Sequence, residues 1–139
     1  MRSDPAATAT PAIRPAIAFL ADAGCLVLFS AVGRRSHGEG LTLGGLLTTL
    51  WPFLAGLVAA WLAGRLWRAP GRVAPSGLVA WGGALILGML LRAASRQGVQ
   101  VSFVIVAAIV LAALLLGWRT VVPPVGRRIR RAGSGSPSS

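Results

Sequence analysis

Apolar residues fall along the chain in four long runs separated by short basic breaks. The first run follows Pro15, a residue suited to the first turn of a helix, and continues from Ala16 to Val32. The second extends from Leu41 to about Leu62, the third from Gly77 to Leu91, and the fourth from Val99 to Gly117. A helix needs ~20 apolar residues to cross the hydrocarbon core of a bilayer. The third run falls short, so it is extended through Arg92, whose charged head can snorkel to the interface. The predicted spans are 15–33, 41–62, 76–94 and 99–117. The fold class is all-α: an integral membrane four-helix bundle with short loops.

The breaks read as connectors. Gly33 to Gly40 is a tight one, with glycines supplying turn conformations. Residues 65–76 carry two prolines and three arginines, and Ser95 to Gly98 makes the last turn. Residues 1–14, rich in Pro, Ala and Thr, are expected to be a disordered tail, as are residues 120–139, basic and then rich in Gly and Ser. The first run is not read as a signal peptide. Asp22 interrupts it, and another span follows instead of a secreted domain.

Composition strengthens this picture. Hydrophobic residues make up 55% of the chain and charged ones 12%, too little charge to cover a small soluble domain. Four spans of ~20 residues fill the stretch between the first and last runs and leave no room there for an appended catalytic domain. The net charge of +11 comes from fourteen arginines against Asp4, Asp22 and Glu39. Basic connectors are what topology and anionic lipid require, so nucleic acid is not an expected partner. Ten arginines lie in the tails, at Arg119 and in the 65–76 connector, and four lie at the other two turns. That bias puts both termini in the cytoplasm, with Trp67 and Trp118 expected at the inner interface. Arg127, Arg128, Arg130 and Arg131 are expected to lie on anionic lipid.

Small residues recur four apart at Gly56, Ala60 and Gly64 in the second helix, and at Ala80, Ala84 and Gly88 in the third. Such stripes suit close backbone approach, within one bundle or between copies. Pro52, near the middle of the second helix, cannot donate to the Thr48 carbonyl. A local kink, with Thr48 or Thr49 satisfying the freed groups, is weighed against a broken helix lining a cavity.

Asp22 is the most informative residue. It stands roughly 10 Å inside the inner interface, at 1.5 Å per residue from Pro15. An ionised carboxylate there must be paired or hydrated, and Arg65 and Arg119 begin near the same depth. The pair would fix helix register; alternatively Asp22 is a proton- or cation-binding group. If it is paired, Asp22→Asn is expected to be mildly destabilising, because the released guanidinium can snorkel to water. On the other side, Arg34, Ser36, His37 and Arg92 form a candidate polar cluster for a phosphate or carboxylate, set against a plain solvated turn. His37 is the only histidine, so no histidine-rich metal site is expected, and no cofactor. Cys25 is the only cysteine, which rules out an intrachain disulfide. Paired carboxylates, phosphate loops and nucleophile elbows are absent from the sequence, and no enzyme is expected.

The stretch DAGCLVLFSAVGRRSHGEGLTLGGLLTTLWPFLAG (22–56), then GMLLRAAS (88–95) and LLLGWR (114–119), resembles the bacterial domain of unknown function 3054 family. The resemblance implies a small four-helix membrane protein of the bacterial plasma membrane with no assigned activity. It draws attention to Asp22, Gly33, Arg34, Ser36, His37, Pro52, Phe53, Arg92, Trp118 and Arg119. Three functions are expected to compete. One is a non-enzymatic protein that assembles with itself or a larger membrane partner. Another is a small proton-coupled transporter using Asp22, similar in layout to the small multidrug resistance family. The third is a binder of anionic headgroups or envelope precursors through the outer arginines.

Overall fold

The computed structural model describes residues 14–36 and 38–133, with side chains at all of these except 123–132. Four helices make up the described chain: α1 (Pro15–Ser36), α2 (Leu43–Gly64), α3 (Leu78–Ala94) and α4 (Val101–Gly133). Each contains a stretch long and apolar enough to cross a membrane, α3 together with the turn at Val73–Gly77 that leads into it. The fold is an all-α four-helix bundle of a multi-pass membrane protein.

Helix ends follow local chemistry. Helix α1 runs three residues beyond the expected boundary at residue 33. Arginine is a good helix former, and the Ser36 hydroxyl donates to the Gly33 carbonyl at 2.8 Å. Thr42 caps α2, its Oγ1 accepting from the Gly45 N–H at 3.1 Å. Arg65 ends α2 in the left-handed conformation, with φ 49° and ψ 49°. Helix α4 differs most from expectation. It continues to Gly133, through the start of a segment expected to be disordered from residue 120. No stop signal lies between Gly117 and Pro123, and arginines follow. The remainder of that tail and residues 1–13 of the N-terminal one lie outside the described residues.

Pro52 is buried within α2, which runs unbroken from Leu43 to Gly64. The neighbouring hydroxyls do not serve the Thr48 carbonyl. Thr48 Oγ1 donates to Gly44 at 2.8 Å and Thr49 Oγ1 to Gly45 at 3.2 Å, a turn earlier.

Helices α2 and α3 make the most extensive pairing. Here the two small-residue stripes meet. A Cβ on Gly56 would stand 2.7 Å from the Gly83 carbonyl oxygen, and one on Gly83 would collide with the Ala60 Cβ. A Cβ on Gly88 would press on the Phe53 ring at 2.6 Å. The stripes therefore let α2 and α3 approach closely inside the bundle. The core continues through Leu26, Phe29, Phe53, Leu57, Ala107, Leu111 and Leu115, drawn from α1, α2 and α4. Phe29 and Phe53 meet edge to face, with ring centroids 5.3 Å apart.

Candidate functional site

Asp22 lies seven residues into α1 and is fully buried. Its stripe on α1, Ala18, Asp22 and Leu26, faces the core, as residues four apart on a helix must. Around the carboxylate converge the last turn of the α2 span, the connector to α3, and the Trp118-Arg119 pair of α4. Arg119 approaches as a fork: Nη1 donates to Oδ1 at 2.6 Å and Nη2 to Oδ2 at 2.8 Å. Both side chains have zero exposure. Two indoles complete the shell. Trp61 Nε1 donates to Oδ2 at 2.9 Å, and Trp118 Nε1 to Oδ1 at 2.8 Å.

Each carboxylate oxygen thus accepts two hydrogen bonds, filling its usual capacity. The guanidinium is held as firmly. Its Nε donates to the Pro70 carbonyl at 3.0 Å and Nη1 to the Leu115 carbonyl at 2.9 Å. Its Cζ also stands 4.5 Å from the Trp118 ring centroid, a favourable cation–π placement. Two buried charges are costly to desolvate, and only such complete pairing makes them tolerable in a low-dielectric interior. Close by, a Cβ on Gly77 would lie 3.0 Å from Arg119 Cδ, so a small residue there gives the arginine room.

Of the two candidate partners, the structure brings Arg119 to Asp22, while Arg65 is exposed at the end of α2. Trp118 does not stand free at an interface: its N–H turns inward to the carboxylate. Trp61 and the Pro70 carbonyl are contributors that the sequence reading missed. A signal for Trp61 exists, since an indole N–H inside an apolar run needs an acceptor and Asp22 is the only acid inside any run.

At the opposite end, the described members of the candidate polar cluster bond to groups of their own segments. Arg34 serves its own loop: Nη1 pairs with Glu39 Oε2 at 2.9 Å and donates to Thr49 Oγ1 at 3.3 Å. Its Nε and Nη2 both donate to the Gly40 carbonyl, at 3.2 and 3.1 Å. Arg92 closes the other loop instead. Its Nη1 donates to Gln97 Oε1 at 3.0 Å, and its Cζ stands 4.6 Å from the Phe103 ring centroid. Ser36 bonds within its own helix, and His37 lies outside the described residues. Arg92 Nε is buried with no hydrogen-bond partner among the described residues.

The model of one family, described as a protein of unknown function (DUF3054), matches residues 19–122, most of the chain and all of the buried clasp. The chain belongs to the DUF3054 family. Within the DUF3054 match lie both partners of the ion pair and both indoles that bond to it. No curated protein and no solved structure matches the chain significantly.

Proposed function

We propose that this chain is a non-enzymatic, multi-pass protein of the bacterial plasma membrane that acts by association within the bilayer, with itself or a larger membrane partner. Both termini and the 65–76 connector face the cytoplasm in this reading. The observation that supports it is the saturation of Asp22. A carboxylate that loads and releases protons must exchange partners, and this one is surrounded by four donors held by packed helices. The geometry therefore favours a clasp over a proton-coupled transporter. The separate local duties of Arg34 and Arg92 likewise weigh against an anion site between them.

Reconstitution in vesicles with an imposed pH gradient and an internal pH dye tests the choice. Wild type and the doubly neutral Asp22→Leu/Arg119→Met variant are expected to dissipate the gradient no faster than empty vesicles. Proton flux present in wild type and abolished in the variant would establish the transport reading instead. Photo-crosslinkers at Ile105 and Ile109, lipid-facing on α4, should then report association in native membranes. A protein that yields no adduct at any lipid-facing position would overturn the assembly reading.

Orientation has its own test. In a Cys25→Ala background, a membrane-impermeant thiol reagent applied to intact cells should label Ser95→Cys and leave Arg68→Cys untouched. Labelling of residue 68 but not 95 would invert the topology, and labelling of both would mean dual insertion.

A further inference from the structure

The two ends of the bundle carry their arginines differently. At the end opposite the clasp, Arg34 is paired with Glu39 and Arg92 is taken up by Gln97 and Phe103, which leaves Arg35 and Arg96 exposed there, on separate segments. At the clasp end, Arg14, Arg65, Arg68 and Arg72 are exposed, and none has a side-chain hydrogen bond or ion pair among the described residues. The one acid at that end among the described residues, Asp22, is buried and already matched. Three of these four cations sit on a single eight-residue stretch, 65–72.

That stretch is built, not loose. Leu66 anchors it in the core at 2% exposure. Leu66–Arg68 forms one 3-10 turn, and the Arg72 N–H donates to Ala69 at 3.2 Å. The Ala69 carbonyl also accepts from Ser76 Oγ at 2.6 Å, and the Gly77 N–H donates to Arg72 at 3.0 Å. The Pro70 carbonyl is tied to Arg119 and so to the buried clasp. Held down in this way, the connector cannot reach far into water. Its exposed side chains lie where a spanning helix has just ended, the level of lipid headgroups. Trp67, at 43% exposure between Leu66 and Arg68, carries the amphipathic ring that prefers that level.

We propose that residues 65–72 form a preorganised platform for anionic phospholipid headgroups, with Arg65, Arg68 and Arg72 facing the phosphates and Trp67 seated among the glycerol backbones. A guanidinium presents a planar fork that fits phosphate oxygens, and ordering the connector beforehand spares the lipid that entropic loss. The platform requires neither the assembly reading nor a given orientation.

The test is native mass spectrometry of the full-length protein released from nanodiscs containing equal phosphatidylglycerol and phosphatidylcholine. Wild type should retain phosphatidylglycerol preferentially. Replacing Arg65, Arg68 and Arg72 with Gln should reduce that preference by about fivefold per arginine. Arg35→Gln/Arg96→Gln, exposed arginines at the other end, should leave it unchanged. If the triple variant does not fold, Arg68→Gln alone should still lower the preference about fivefold. Three results would overturn the platform. They are full preference in the triple or single variant, equal loss in the opposite-end variant, and complete loss on replacing only Arg127, Arg128, Arg130 and Arg131.

Discussion

Asp22→Asn is expected to destabilise the bundle by about 3–5 kcal/mol, the penalty for removing one partner of a buried ion pair. The sequence alone suggests a milder effect, on the ground that the released guanidinium would snorkel to water. The structure removes that escape. Arg119 has no exposed surface, and its Nε and Nη1 are fixed to the Pro70 and Leu115 carbonyls. An asparagine amide also cannot replace the carboxylate. One of its two polar atoms is a donor, and it would face either Arg119 Nη1 with the Trp118 N–H, or Nη2 with the Trp61 N–H. Arg119→Gln should be comparably damaging, since it leaves the carboxylate buried with only the indoles. Asp22→Asn/Arg119→Gln should lose less than the two single losses summed, because the double variant, unlike either single one, leaves no orphan charge. The indole and carbonyl groups left unpaired still cost about 1–3 kcal/mol each, so the double variant will not regain wild-type stability. Thermal unfolding in bicelles, followed by helical circular dichroism, measures all four proteins. Strictly additive losses would show that the two residues do not act as a pair.

The second large effect is expected at the α2–α3 seam. Gly56→Leu should separate the two helices and cost about 3 kcal/mol or more, since overpacking alone costs about 1–3. The reason is what the new side chain meets. Its Cβ would stand 2.7 Å from a backbone oxygen, that of Gly83, and 3.2 Å from Ala84 Cα. Neither is the movable end of a side chain. Gly82→Ala is the contrasting change, one residue from Gly83 in the same helix. A Cβ there meets nothing within 4 Å, and alanine is favoured over glycine in a helix by about 1 kcal/mol. It should leave the midpoint unchanged or raise it. Equal behaviour of the two variants would show that the seam is not limiting.

The four spans were legible in the sequence because the hydrocarbon core imposes length and apolarity on any helix that crosses it. Arg92, through which the short third run was extended, lies within a helix ending at Ala94. The fourth helix was not bounded correctly, because beyond Gly117 composition no longer separates helix from coil. Asp22 stood out as the lone acid in an apolar run, and depth narrowed its partners to Arg65 and Arg119. Depth cannot choose further. The choice follows from the left-handed turn at Arg65 and from the approach of α4 to α1, which only the packed bundle supplies. The Trp118 indole was misread for a related reason. A tryptophan beside an arginine looks the same in sequence whether it faces lipid or turns inward to an acid. The acceptors of Arg34 and Arg92 were not legible either, because adjacency in sequence said nothing of Glu39, Gly40 and Gln97.

The clasp joins residues 97 positions apart, the first span to the last. Synthesis runs from one to the other, so Asp22 emerges from the ribosome long before Arg119 exists. Throughout that interval the first helix carries a carboxylate without its counterion. It must wait in a hydrated or chaperoned site instead of settling in lipid. A nascent chain that ends anywhere between the first span and Arg119 carries an acid inside an apolar run with no counterion. Neutralisation of the buried acid is thereby tied to arrival of the final helix, so the order of synthesis sets when the bundle can close.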